Sequence, residues 1–167
     1  MRPASISQLC VIAVVSLSSA SGTRHGAPPY SDGDLVADAR LFMDGVAHDL
    51  RGGDRDALAG RYDPRGAYFV GNGKNTFRSL DSIRVRYRRS TWQPPHTFAW
   101  RDLAYEVVGP EAVVVTGRFE WERERYSYTG LLVRQGSGGP LRLRLEDESA
   151  DPTTLPPPPC SRDSVHR

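Results

Sequence analysis

At Pro94-Pro95 the hydrophobic period of this chain changes, and any fold it adopts must accommodate that change. Before the two prolines, apolar residues recur at helical spacing; after them they alternate, so each segment has one apolar and one charged face. "SDGDLVADARLFMDGVAHDL" sets Ser31 and Asp34 at capping-box spacing, then puts Leu35, Ala39, Phe42, Val46 and Leu50 on one stripe. Val36 and Met43 widen that stripe, and Gly52-Gly53 ends it. The spacing predicts one long helix. Asp54 is placed to cap a short second helix, and Ser79 a third with Leu80, Ile83 and Tyr87 on one side. Between them, "GAYFVGNG" reads as a strand entering a Gly/Asn turn, expected at the edge of a sheet.

Beyond the prolines, "TFAWRDLAYEVV", "AVVVTGRFEWER", "YSYTGLLVRQ" and "LRLRLEDES" read as an antiparallel meander. The turns fall at "GPE", in a short hairpin near Glu124-Arg125, and at "GSGG". Three helices followed by such strands predict an α+β fold.

The flanks read differently. Residues 1–20 have the layout of a signal peptide: Arg2, the apolar run Leu9–Leu17, and small residues at Ser18–Ala20. That run is shorter than the roughly 20 residues a membrane span needs, so a secreted or periplasmic protein without a membrane span is expected. A retained N-terminal anchor is the alternative. Residues 21–30 read as a linker, 31–150 as the folded domain, and 151–167, with four consecutive prolines, as a disordered tail. Cleavage would leave Cys160 as the single cysteine, excluding a disulfide within the chain and a Cys-based zinc site.

A net charge of +2 gives no global field that demands a polyanion. "RVRYRRS" reads as the solvated face of the third helix, and no nucleic-acid partner is expected. "VGNGKNT" lacks the glycine and the Ser/Thr of a phosphate loop, because Tyr68 and Asn75 occupy those positions. The four histidines are scattered, with His48 and Asp44 reading as a surface pair, and no metal-ligand spacing occurs. Neither metal nor cofactor is expected.

Parity assigns the strand faces. Pairing Trp121 with Tyr128, Phe119 with Gly130, Leu132 with Leu143, and Tyr128 with Asp147 collects Val113, Val115, Phe119, Leu141, Leu143 and Leu145 on one face. Arg118, Glu120, Arg142, Arg144, Glu146 and Glu148 then share the other. On this reading Glu146 and Glu148 pair with Arg118 or Arg144, while Asp147 joins Trp121 and Tyr128 on the apolar face. Asp147 is therefore the best catalytic candidate, since desolvation raises a carboxyl pKa. A frayed strand end with Asp147 in water is the plainer alternative.

"DRDALAGRYDPRGAYFV", "RSLDSIRVRYRR", "EAVVVTGRFEW" and "LRLRLEDES", in this order and spacing, resemble the SnoaL-like domains of the nuclear transport factor 2-like superfamily, in particular its stand-alone bacterial branch of unknown function. The resemblance covers about Leu35 to Ser149. It implies a cone, a curved antiparallel sheet wrapped over the helices around an apolar pocket, and a homodimer formed through the sheet. Steroid-isomerase members carry an Asp near the end of the first strand and a Tyr on the first helix. Here the corresponding stretches offer Val70-Gly71-Asn72-Gly73 and Val46. Where many members of the branch end in a His-rich strand, this chain has Glu146-Asp147-Glu148-Ser149-Ala150.

Trp100, Trp121, Tyr128, Tyr68, Tyr87 and Phe119 are the candidates to line the pocket, as large surfaces suited to a small apolar ligand. Tyr62 and Trp92 are further candidates. The expected function is an exported domain binding such a ligand. The alternatives are a cofactor-independent isomerase, cyclase or dehydratase using Asp147 with Tyr128 or His48, and a dimerisation module without ligand.

Overall fold

A computed structural model describes residues 31–136 and 138–150. The expected signal segment, linker and tail, with Cys160, lie outside the described residues. Helix α1 (Asp32–Gly52) opens with the capping box: the Ser31 hydroxyl accepts from the Asp34 amide, and the Asp34 carboxylate accepts from the Ser31 amide. It stops at Gly53, whose left-handed backbone (φ 68°) costs a glycine little. Helices α2 (Arg55–Gly60) and α3 (Leu80–Arg88) are capped by Asp54 and Ser79.

The six strands are β1 (Ala67–Gly71), β2 (Lys74–Arg78), β3 (Phe98–Gly109), β4 (Ala112–Trp121), β5 (Glu124–Arg134) and β6 (Leu141–Ala150). They form one curved sheet in the order β2-β1-β6-β5-β4-β3. The expected meander is present as β3 to β6. β1 departs from its expected edge position: it lies between β2 and β6, antiparallel to the first and parallel to the second. The edge belongs to β2, which the polar run after Gly73 does not announce. Asn72 and Gly73, both with positive φ, make the two-residue turn that pairs β1 with β2.

The β4–β5 hairpin turns at Glu122-Arg123, not at Glu124-Arg125, so Trp121 faces Glu124 and Gly117 faces Tyr128. The offset is even, and parity survives it. Glu122 takes a left-handed φ of 57° that its side chain does not favour. Its amide donates to the Thr97 carbonyl at 3.0 Å, and its carboxylate accepts from the His96 amide at 2.6 Å.

The core lies between α1 and the concave face. Leu35, Met43, Ile83, Val113, Val115 and Leu132 are fully buried, each stabilising the fold by roughly 1.5–3 kcal/mol. The Trp100 indole N–H donates to the Met43 carbonyl at 3.0 Å and ties β3 to α1. Arg55 donates to the carbonyls of Tyr87, Arg89 and Trp92, fixing the end of α3 and the loop after it to α2. Among the described residues no helix is long and apolar enough to cross a membrane.

The ladders shift register at three places, one of them at Val108 near the end of β3. In β3, Asp102 and Leu103 stand against Gly117, with Asp102 at φ 52°. In β6, Leu143 pairs with Leu132 but Leu145 pairs with Leu131, leaving Arg144 as an extra residue. A bulge sets two successive side chains on one side of the sheet and inverts parity beyond it.

Candidate functional site

The β6 bulge decides which acids face inward. Leu143 is buried in the core, whereas Leu145 and Asp147 pair with Tyr68 and Val70 of β1. Glu146 instead pairs in parallel register with Phe69, whose ring stacks on Tyr62 inside the cone at 5.5 Å. Glu148 stands opposite Tyr128. The parity expectation is thus corrected beyond Arg144. Glu146 and Glu148 border the cavity, and Asp147 lies on the outer side, accepting from the Ser149 hydroxyl at 2.8 Å.

The expected partners change accordingly. Arg118 pairs with Asp102, and Arg144 reaches the Gly66 carbonyl. Neither holds a β6 glutamate. His48 is exposed and does not border the cavity, so the structure does not bring it together with Asp147 or Tyr128.

The cavity measures about 400 Å³. Trp100, Trp121, Tyr128, Tyr87 and Phe119 all border it, with Tyr62 and Trp92. Tyr68 does not. It is 40% exposed and packs with Phe77 and the Arg144 guanidinium on the outer side. One wall is a contiguous aromatic cluster. Trp100 meets Phe98 at 4.9 Å and Tyr128 at 4.8 Å between ring centres, and Phe119 stacks on Tyr126 at 4.8 Å.

The polar wall is a hydrogen-bonded chain. The Tyr62 hydroxyl lies 3.0 Å from both Glu146 oxygens and 3.1 Å from the Tyr87 hydroxyl. Tyr62 has one proton to donate. When Glu146 is ionised Tyr62 donates to it, and Tyr87 donates to Tyr62. Glu146 is 6% exposed and Tyr62 is 4% exposed. Burial, reinforced by Glu148, pushes the Glu146 carboxyl up to about 8, against the opposing pull of Arg86 and Tyr62. Burial also raises Glu148, with Arg86 opposing and Asp147 adding. Glu148 borders the cavity but is exposed by surface area, so solvent screens it more than it screens the buried Glu146. Burial, reinforced by the Glu146 charge, holds Tyr62, Tyr87 and Tyr128 above the usual tyrosine range.

Arg86 departs from the reading of "RVRYRRS" as one solvated face. Arg84 and Arg88 pair at the surface with Asp81 and Asp56, but Arg86 borders the cavity and covers the Phe69 ring at 5.1 Å. Val46 and Asn72 also border the cavity. At the two positions that the steroid-isomerase pattern fills with Tyr and Asp, the wall therefore carries neither phenol nor carboxylate. The acids come from β6 instead. Among the described residues no group of His, Cys, Asp and Glu could hold a metal ion.

No family model matches the chain, and no curated protein matches it. Solved structures do. An NTF-2 like protein of unknown function from Shewanella oneidensis MR-1 superposes with a TM-score of 0.60 at 16% identity, over 68% of this chain and 98% of that one. The chain has the nuclear transport factor 2-like fold. ActVI-ORFA from Streptomyces coelicolor superposes with a TM-score of 0.56 at 16% identity, over 71% of this chain and 98% of that one. A putative ketosteroid isomerase from Parabacteroides distasonis gives 0.54 at 13% identity, over 71% and 86%. Identities this low speak for the nuclear transport factor 2-like fold alone.

Proposed function

We propose that this protein is a SnoaL-like domain that binds a small, largely apolar molecule in its cone cavity and exchanges a proton with it through Glu146. The observation that carries this reading is the buried Glu146 carboxyl in hydrogen-bond reach of Tyr62, beside an aromatic wall. A carboxyl with a pKa of about 8 is largely protonated at neutral pH and readily loses its proton. It can act as general acid in one direction and general base in the other. Tyr62 and Tyr87 relay charge behind it, and the aromatic wall orients a flat substrate while excluding water. An isomerase, cyclase or dehydratase without cofactor fits this layout, with Glu146 in the role first assigned to Asp147.

The test is deuterium uptake. Cyclic ketones in heavy water, followed by proton NMR, should exchange their α-hydrogens faster with the parent than with Glu146→Gln. Equal rates across the set would reject proton exchange. Native mass spectrometry of protein purified from its own host would detect a retained small molecule and the subunit count together.

Export and a homodimer formed through the sheet remain part of this proposal. The exposed Tyr68–Phe77 pair on the outer side supports the second. Sedimentation showing a monomer at micromolar concentration would remove it.

A further inference from the structure

The charges on the cavity wall balance only while Glu146 keeps its proton. Four charged side chains border it: Glu146, Glu148, Arg61 and Arg86. Arg61 is committed to Asp49, with its Nε and Nη2 each 2.8 Å from the carboxylate. Arg86 makes no ion pair within 4.0 Å among the described residues. While Glu146 is protonated one carboxylate faces one guanidinium; once it ionises, two do, and a negative charge is in excess. Tyr128, 5% exposed, borders the same space, and its hydroxyl has no hydrogen-bond partner among the described residues. Trp100, Trp121 and Phe119 border the same cavity, with the Trp100 ring 4.8 Å from that of Tyr128.

With Glu146 ionised, a neutral apolar ligand would leave one negative charge on the wall without a partner, and an anionic one would add to it. A cation suits both walls, since carboxylates attract it directly and aromatic ring faces attract it through their quadrupoles. We propose that the cavity takes an organic ammonium ion, with its charged head between Glu148 and Glu146 and its apolar remainder against Trp100, Trp121 and Phe119. The Tyr128 hydroxyl accepts from the N–H of a protonated amine or faces the methyl groups of a quaternary one. This inference rests on the cavity being a small-molecule site and adds the class of molecule.

A cation at this position favours the ionised form of Glu146, so binding releases the Glu146 proton to solvent. The groups facing Glu146 are Tyr62, Tyr87, Arg86, Tyr128 and Glu148, and all but Glu148 stay in one protonation state from acid to mildly alkaline pH. Affinity for a cation therefore rises with pH until Glu146 is ionised.

Two probes of one shape decide the matter: 3-hydroxyphenyltrimethylammonium and 3-tert-butylphenol, which differ in a nitrogen replaced by carbon. Titration calorimetry on the full chain should find the ammonium bound at least about tenfold more tightly than the phenol, a preference of the size cation–π and carboxylate contacts supply. Its heat at neutral pH should change with the ionisation enthalpy of the buffer, which reports the released proton. Glu148→Gln should bring the two affinities together while its circular dichroism stays that of the parent. Equal or tighter binding of the phenol by the parent overturns the ammonium class and leaves the small-molecule site standing. Binding of neither probe at millimolar concentration also overturns it, and deuterium uptake by cyclic ketones then decides the broader reading separately.

Discussion

Tyr128 stands directly opposite Glu148 across the β5–β6 ladder. Strict alternation along "LRLRLEDES" would put Asp147 there. The difference is one residue, Arg144, and it turns two solvent-facing glutamates into the polar wall of a cavity.

Asp147→Asn should therefore leave ligand binding and proton exchange close to parental values. Asp147 sits beside Gly71 and Ser149 on the outer side, where only its bond from the Ser149 hydroxyl is at stake. A large loss of binding, measured by calorimetry, would return Asp147 to the site.

Deleting Arg144 should keep Glu146 inside. Leu143 and Leu145 already pair with consecutive residues of β5, so removing the extra residue regularises the ladder without changing which acids face the cavity. The cost is the bond to the Gly66 carbonyl and the packing on Tyr68 and Phe77, on the order of 1–2 kcal/mol. Carbon-13 NMR of the Glu146 carboxyl should still titrate near 8; a midpoint in the usual carboxylate range would show the register to be wrong.

Glu146 makes stability fall as pH rises. Its folded pKa of about 8 exceeds the unfolded value of about 4.3, so between these the folded state holds the extra proton. Its contribution is complete below the unfolded value and is lost as pH climbs through the folded one, at a slope of up to about 1.4 kcal/mol per pH unit. Glu148 acts in the same direction, whereas Asp63, held low by Arg65, acts oppositely and only in acid. Urea unfolding from about pH 5 to about pH 9 should show Glu146→Gln with a flatter profile and a gain over the parent at the alkaline end.

Tyr62→Phe should cost about 1–2 kcal/mol, because it leaves Glu146 and Tyr87 without their shared partner. The bond from Tyr62 lowers the Glu146 pKa, so the variant should titrate still higher. A lower midpoint would contradict the assigned donor.

Gly117→Ala should destabilise by about 1–3 kcal/mol. A Cβ there would come within 2.8 Å of Leu103 Cδ2 and 3.0 Å of the Arg101 carbonyl oxygen, inside the β3 bulge. Thermal unfolding measures this, and a neutral result would mean that the bulge relaxes.

The helices were legible because each carries its own boundary chemistry. Ser31, Asp54 and Ser79 cap, Gly53 stops, and the apolar stripes run true between them. The meander was legible through alternation, and an even error in the β4–β5 register left every face correct. The β6 bulge left no mark, since Leu145 is apolar on whichever face it sits and only the partner strand fixes the extra residue. Glu122-Arg123 went unread as a turn for a related reason. Tertiary bonds to Thr97 and His96, not local propensity, hold it. Arg86 looked like its neighbours because helical spacing alone does not say which arginine borders the cavity.

The bond from Tyr62 to Glu146 joins residues 84 positions apart, and β1 meets β6 side by side only after every intervening strand is laid down. Loop-closure entropy makes such distant pairings late events in folding. A nascent chain would thus expose its aromatic wall to water until the last strand docks. The step that completes the sheet is also the step that delivers both acids, so a half-assembled protein would have neither a closed cavity nor a proton to exchange.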